Sequence, residues 1–118
     1  MSYLLLIVEQ RGDRATYAPE AARDLYDQMV AFGQGLAEQG KLLASESLRT
    51  DDHAVRITAS EGKPQLRDGP FAEAKEMVGG FFMIDVASRD EAVAIASRCP
   101  AVNWATVEVR ECAPCHVL

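Results

Sequence analysis

Apolar residues fall in short blocks along this chain, and their period changes where one element gives way to the next. Residues 3–8 are all strand formers, with Leu4, Leu6 and Val8 on one side and Tyr3, Leu5 and Ile7 on the other. Both sides are apolar, which predicts a central strand covered on both faces. A turn-rich stretch over 10–18 leads to Pro19, suited to the first helical position, where a missing N–H costs nothing. Ala22, Leu25, Met29, Phe32 and Leu36 then recur at steps of three and four, one apolar helix face, and Gly40 suits the C-terminal cap. Gly33 and Gly35 each cost that helix up to about 1 kcal/mol relative to Ala, and either permit close packing or fray the last turns.

Residues 41–50 read as extended. Residues 53–59 alternate, with Val55 and Ile57 on one side and Ala54, Arg56 and Thr58 on the other. Glu61-Gly62-Lys63 has hairpin-turn chemistry, and 65–67 returns. Asp68-Gly69-Pro70-Phe71 is a turn by its residue types. Residues 72–77 predict a short helix broken by Gly79-Gly80, and 81–86 a strand apolar on both faces except at Asp85. Ser88 and Glu91 form a capping box, each side chain satisfying a free amide of the other. Ala92, Ile95, Ala96 and Cys99 line the helix that follows, and Pro100 ends it. Residues 104–110 alternate again, with Ala105, Val107 and Val109 on one face.

The order is β-α-β-β-α-β, with 65–67 as an additional strand. That is an α+β domain of ferredoxin-like type, spanning 1–110, with a C-terminal tail over 111–118 and no repeat or linker. Two crossover helices cover one face of a four-stranded sheet. The strands at 3–8 and 81–86 are apolar on both faces, so a second copy of the same sheet is the simplest cover for the other, and a homodimer is expected.

Charge narrows the partners. Twelve Lys and Arg stand against eighteen Asp and Glu, a net −6, with no basic cluster. Nucleic acid and anionic membrane surfaces are therefore not expected partners. The apolar run 4–8 is too short to cross a membrane and lacks the flanks of a signal peptide. The expected compartment is the cytoplasm, where the three cysteines stay reduced.

The 68–76 segment is the first candidate for chemistry. Asp68, a carboxylate on a tight turn, can serve as a general base if burial raises its pKa, and Lys75 can steady an oxyanion. Gly69, Pro70, Phe71, Glu73 and Glu76 are the candidate substrate contacts, with Phe71 placed to pack on a flat molecule and Asp85 as a second acid. The same residues have a purely structural reading. Asp68 bonds amides of its own turn, Gly69 supplies a positive φ, Pro70 fixes φ, Phe71 plugs the core, and Asp85 ends a strand or pairs with a cation. Cys112-Ala113-Pro114-Cys115-His116 has the C-x-x-C-H spacing of haem attachment, and two thiolates with a His also suit zinc or a redox pair. Its place at the chain end reads as a frayed tail with free thiols, so no metal site and no cofactor are assigned. His53, after Asp51-Asp52, reads as part of a solvated turn. No Gly-rich phosphate loop or Ser/His/Asp arrangement is present.

Arg67-Asp68-Gly69-Pro70-Phe71-Ala72-Glu73-Ala74-Lys75-Glu76, followed by Gly79-Gly80-Phe81-Phe82-Met83-Ile84-Asp85-Val86, closely resembles the DGPF-type members of the YCII-related family. The opening strand at 3–8 and the closing Val107-Glu108-Val109-Arg110 are also similar, so the resemblance runs from Ser2 to Arg110. It implies a dimeric α/β-barrel of two ferredoxin-like subunits with facing sheets. Relatives in the wider family look like lyases acting on chlorinated hydroxy-aromatic compounds with a His/Asp catalytic pair, and DGPF-type proteins are often encoded beside sigma factors, so the resemblance implies a lyase-like activity or a regulatory module linked to a sigma factor. This chain has two histidines, His53 and His116, and neither lies in the first strand–helix region where that catalytic His is expected. Three readings follow: an enzyme at the Asp68 loop, a non-catalytic small-molecule-binding module, and a thiol or metal protein built on the tail.

Overall fold

The computed structural model describes residues 1–116. Its elements are β1 (Ser2–Gln10), α1 (Pro19–Glu38), β2 (Leu42–Ser47), β3 (Val55–Ser60), β4 (Lys63–Asp68), β5 (Glu76–Asp85), α2 (Arg89–Ser97) and β6 (Thr106–Glu111), with single turns of 3-10 helix at Asp13–Thr16, Asp51–His53 and Pro100–Asn103. Four strands form one antiparallel sheet in the order β2-β5-β1-β6, the ferredoxin-like order, and β3 pairs with β4 alone. That hairpin is inserted between the second and third strands of the main sheet.

Pro19 opens α1 as its fixed φ suggests. Gly40 closes it with φ 70°; its N–H reaches the Ala37 carbonyl, and the Lys41 N–H reaches that of Leu36, so the last carbonyls are satisfied by a left-handed cap. Gly33 has a packing reason. A Cβ there would lie 3.2 Å from the Phe82 ring, which meets Phe32 edge-on at 5.1 Å. At α2 the Ser88 hydroxyl accepts from the Glu91 N–H at 3.1 Å. The Glu91 carboxylate reaches the Ala87 N–H instead of that of Ser88, and also pairs with Lys41 at 3.0 Å.

One sequence expectation fails at 72–77. No helix forms there; Phe71 and Ala74 make a tight turn, and β5 starts at Glu76 and runs straight through Gly79 and Gly80. A six-residue helix gains too few internal hydrogen bonds to persist alone, whereas β1 offers ladder partners from Val8 to Gln10. The two glycines serve that strand. Gly79 is the extra residue of a bulge between the Ile7–Gly80 and Val8–Val78 pairs, and a Cβ at Gly80 would sit 2.8 Å from the Glu46 carbonyl.

The helices cover one face of the sheet. Tyr3, Leu5 and Ile7 of β1 and Phe82 and Ile84 of β5 bury there with Leu36, Ile95 and Cys99. The other face carries Leu4, Leu6, Phe81 and Met83, which are half-buried. Along its shortest principal axis the molecule measures 19 Å, and its radius of gyration is 16.3 Å. A compact chain of this length is expected at about 13.5 Å. It is thus a flat two-layer slab with a hairpin arm, and no helix is long and apolar enough to cross a membrane among the described residues.

Candidate functional site

Strand alternation puts Glu9 on the same face of β1 as Tyr3, Leu5 and Ile7, so a carboxylate points under the helix layer. The chain then turns at Gly12, whose φ of 90° suits glycine, and Asp13–Thr16 brings Arg14 back over β1. Arg14 Nε lies 2.7 Å from Glu9 Oε1, Nη1 donates to the Leu48 carbonyl at 2.8 Å, and Nη2 donates to that of Gly79 at 3.3 Å. Oε1 is shut away from solvent, and no hydrogen bond of good geometry reaches it. A Cβ at position 79 would stand 2.8 Å from both Arg14 Nη2 and Glu9 Oε2, so the bulge glycine makes the room for this pair.

Beside the pair opens a cavity of about 470 Å³ between α1 and the sheet. Ligand clefts run from about 300 to 1,000 Å³. The first half of the α1 stripe, Ala22, Leu25 and Met29, lines this space, and Met29 also packs against the core. Tyr17, Tyr26, Phe82 and Trp104 add aromatic wall, and Ser45 and Ser47 add hydroxyls from β2. The arrangement offers the Glu9 carboxylate beside the Arg14 guanidinium, two further acids at Asp13 and Glu46, and apolar walls to a molecule the size of a single substituted ring. The sequence reading missed Glu9. Its signal was available, since a charge continues the Tyr3, Leu5, Ile7 alternation where another apolar residue is expected. Arg14 had no such signal, because its approach depends on a loop.

The residues singled out from sequence are distributed over three places. Asp68 ends β4 and is exposed, as is Lys75; neither lines this cavity or the second one beside the loop. Lys75 contributes its carbonyl, which accepts from the Arg11 N–H at 2.8 Å. Gly69 and Pro70, joined by a cis peptide, pass so close to the Asp51–His53 turn that a Cβ at Gly69 would fall 1.7 Å from the Asp51 carbonyl oxygen. Gly69 is needed there for close approach, and it is not among the residues of positive φ. Phe71 is buried at 3% exposure, with the Arg56 guanidinium 3.9 Å above its ring and that of Arg67 at 5.0 Å. Glu73 pairs with Arg67, and Arg56 lies 3.6 Å away. Those cations, Arg67 first, hold the Glu73 carboxyl below its ordinary range. Glu76 accepts from Gln10 at 3.3 Å. Asp85 sits at the opposite end of β5, paired with the N-terminal ammonium at 3.3 Å, and does not join the loop.

What anchors this loop is a pair the sequence reading left aside. Arg11 grips Asp51 with both terminal nitrogens, and its Nε and Nη2 also donate to the carbonyls of Ala74 and Phe71 at 2.6 and 2.9 Å. Asp51 in turn accepts from the Phe71 N–H at 3.2 Å. The Arg11 hydrogen bonds lower the Asp51 carboxyl to about 2 and raise the Arg11 guanidinium further. A second cavity, of about 520 Å³, adjoins the loop and is lined by Arg49, His53, Arg56, Phe71, Glu76 and Val78, among others. At the tail, Cys112 and Cys115 are exposed free thiols, and Cys99 is buried, its thiol pushed up by desolvation. No cluster of three His, Cys, Asp or Glu side chains able to hold a metal occurs among the described residues.

The geometry defines a small ferredoxin-like domain with a cleft between its first helix and its sheet. A family model of the YCII-related domain matches residues 1–115, so the chain belongs to the YCII-related family. The match extends past Arg110, where the sequence motifs stop. An uncharacterised protein of Rhizobium meliloti is 32% identical over 106 residues, 90% of this chain and 86% of that protein. Among solved structures, the chain is similar to 5-chloro-2-hydroxyhydroquinone dehydrochlorinase of Burkholderia phenoliruptrix, in complex with 2,5-dihydroxybenzoquinone. The TM-score is 0.56 at 16% identity, covering 96% of this chain and 94% of that one, which shows a shared fold.

Proposed function

We propose that this protein is a cofactor-independent enzyme, lyase-like in its proton abstraction, acting on a small oxygenated ring in the cleft between α1 and the sheet. The observation that carries this reading is Glu9, a carboxylate shielded on one oxygen and aimed into an aromatic-lined cavity of ligand size. In this reading Glu9 takes a proton from a substrate hydroxyl or from a carbon beside a carbonyl, and Arg14 faces the oxyanion that the departing proton leaves. The fold is shared with a dehydrochlorinase whose solved complex holds a dihydroxyquinone, which supports a flat, oxygen-rich ligand. The half-exposed apolar sheet face supports two copies associating through that face. The acidic chain and the absence of a membrane-crossing helix among the described residues favour a protein working free in the cytoplasm.

The test is a thermal-shift screen with phenols and hydroxyquinones, followed by turnover assays on any ligand found. Ligand at about 100 Kd stabilises by about 2.7 kcal/mol. Glu9→Gln should keep that shift and lose turnover, while Asp68→Asn keeps both. Turnover that survives in Glu9→Gln and disappears in Asp68→Asn would move the chemistry to the loop and the second cavity, which Phe71 and Glu76 line. Saturable binding with no turnover would favour a sensing module, with a sigma factor as a partner to seek by co-purification.

A further inference from the structure

The β3–β4 hairpin is exposed along its whole length. It is held at its base, where the Gly69 N–H donates to the Ala54 carbonyl, the Arg56 and Arg67 guanidiniums cover Phe71, and both face Glu73. A two-stranded hairpin standing alone in water is marginally stable, yet this one presents its apolar face outward. Ile57 pairs directly with Leu66, and these are exposed at 63% and 68%; Val55, two residues along the same face, is at 48%. The opposite face carries Arg56, Lys63 and Arg67.

The charge distribution selects an occupant for that face. Residues 55–68 hold three basic and two acidic side chains, a net +1. Subtracting this from −6 leaves −7 on the rest of the chain. A mildly basic arm is therefore matched to the acidic body of another copy. That body offers an apolar face of the required kind, Leu4, Leu6, Phe81 and Met83, flanked on neighbouring strands by the carboxylates of Glu46, opposite Phe81, and Glu108, opposite Leu6. Length agrees as well. Six residues of strand reach about 20 Å, and the slab is 19 Å thick.

We propose that the β3–β4 arm is a clasp for a second copy of this chain, laying Val55, Ile57 and Leu66 against the rim of the partner's apolar sheet face. This rests on the association of two copies stated above, and adds the element that holds them. The arm's outward apolar face, its sign of charge and the excess radius of gyration all have one explanation in this arrangement.

Analytical ultracentrifugation of the full chain over a wide concentration range tests it, with wild type beside an Ile57→Glu/Leu66→Glu double variant. Both side chains are exposed in the single chain, so the variant should keep its circular dichroism spectrum. The clasp requires self-association in wild type and at least about tenfold weaker association in the variant. A wild-type dimer that the variant leaves unchanged overturns the clasp and spares the sheet-face association. A wild type that is monomeric throughout overturns both. Hydrogen exchange on wild type gives a second reading without mutation: amides of 55–68 should gain protection as the dimer fills, and exchange that is indifferent to concentration overturns the clasp. Variant-sensitive binding to an anionic vesicle by a protein that stays monomeric would also overturn it.

Discussion

Asp51 accepts from both terminal nitrogens of Arg11 and from the Phe71 N–H, and through these bonds one carboxylate fixes the 68–75 loop to the end of β1. Its pKa falls from 3.8 to about 2 because Arg11 favours the ionised form. A folded-state pKa below the unfolded one means that the native state binds its proton less readily. The stabilisation is then fully present above the unfolded value and is lost as pH falls through the folded value. Urea denaturation should show wild type losing stability between pH 3.8 and about 2, with a shallower loss in Asp51→Asn. Equal slopes in the two proteins would show that the pair contributes nothing specific. The turn chemistry of Asp68-Gly69-Pro70-Phe71 was readable from its residue types, but its reason was not. Gly69 is glycine because the Asp51 carbonyl occupies the space of a Cβ. That contact joins residues 18 positions apart, and no local pattern announces it.

At the scale of elements, both helices and the strands β1, β3 and β6 follow from their own periodicity, with adjustments at the ends. Pro19, Gly40, Ser88 and Pro100 mark boundaries by chemistry that needs no partner. The β3–β4 turn is of the same kind. Glu61 and Gly62 take φ of 51° and 76°, the two left-handed residues of a tight hairpin turn. A side chain at a left-handed position costs about 1–2 kcal/mol. Gly62→Ala should therefore speed amide exchange within 55–68 while leaving global thermal unfolding unchanged, because the arm contributes nothing to the main core. A large drop in melting temperature would mean that arm and body unfold as one unit. The segment 72–77 is the instructive failure. Its residues suit a helix locally, and the open ladder beside Val8, Glu9 and Gln10 outweighs that preference.

At the scale of the molecule, the slab has one well-covered face and one that is half-open. Helices bury Tyr3, Leu5 and Ile84, while Leu6 and Phe81 look outward. Sedimentation of Leu6→Glu checks what covers them. If a second sheet packs there, the substitution buries an unpaired charge costing about 3–5 kcal/mol, and association should weaken at least about a hundredfold. A variant that associates like wild type would leave this face outside any interface. The cleft and the open face lie on opposite sides of the sheet, so loss of association at Leu6 should leave ligand binding at Glu9 in place.

Local pattern in the sequence set both helices and their ends, the strands at 3–8, 53–59 and 104–110, the hairpin turn and the family, but not the segment 72–77, where β5 begins in place of a helix. These rest on alternation, on the 3.6-residue repeat and on local backbone preferences, all of which act between near neighbours. Only the tertiary fold settled which charged side chains meet beside the cleft. Asp68 and Asp85, both on the sequence's list, lie at separate exposed ends of the fold. Glu9, Arg14 and Gly79 become one site because a bulge in β5 and a loop after β1 bring a carboxylate, a guanidinium and a bare backbone together. Such a meeting depends on the register between strands far apart in the chain, and register is set by the whole sheet.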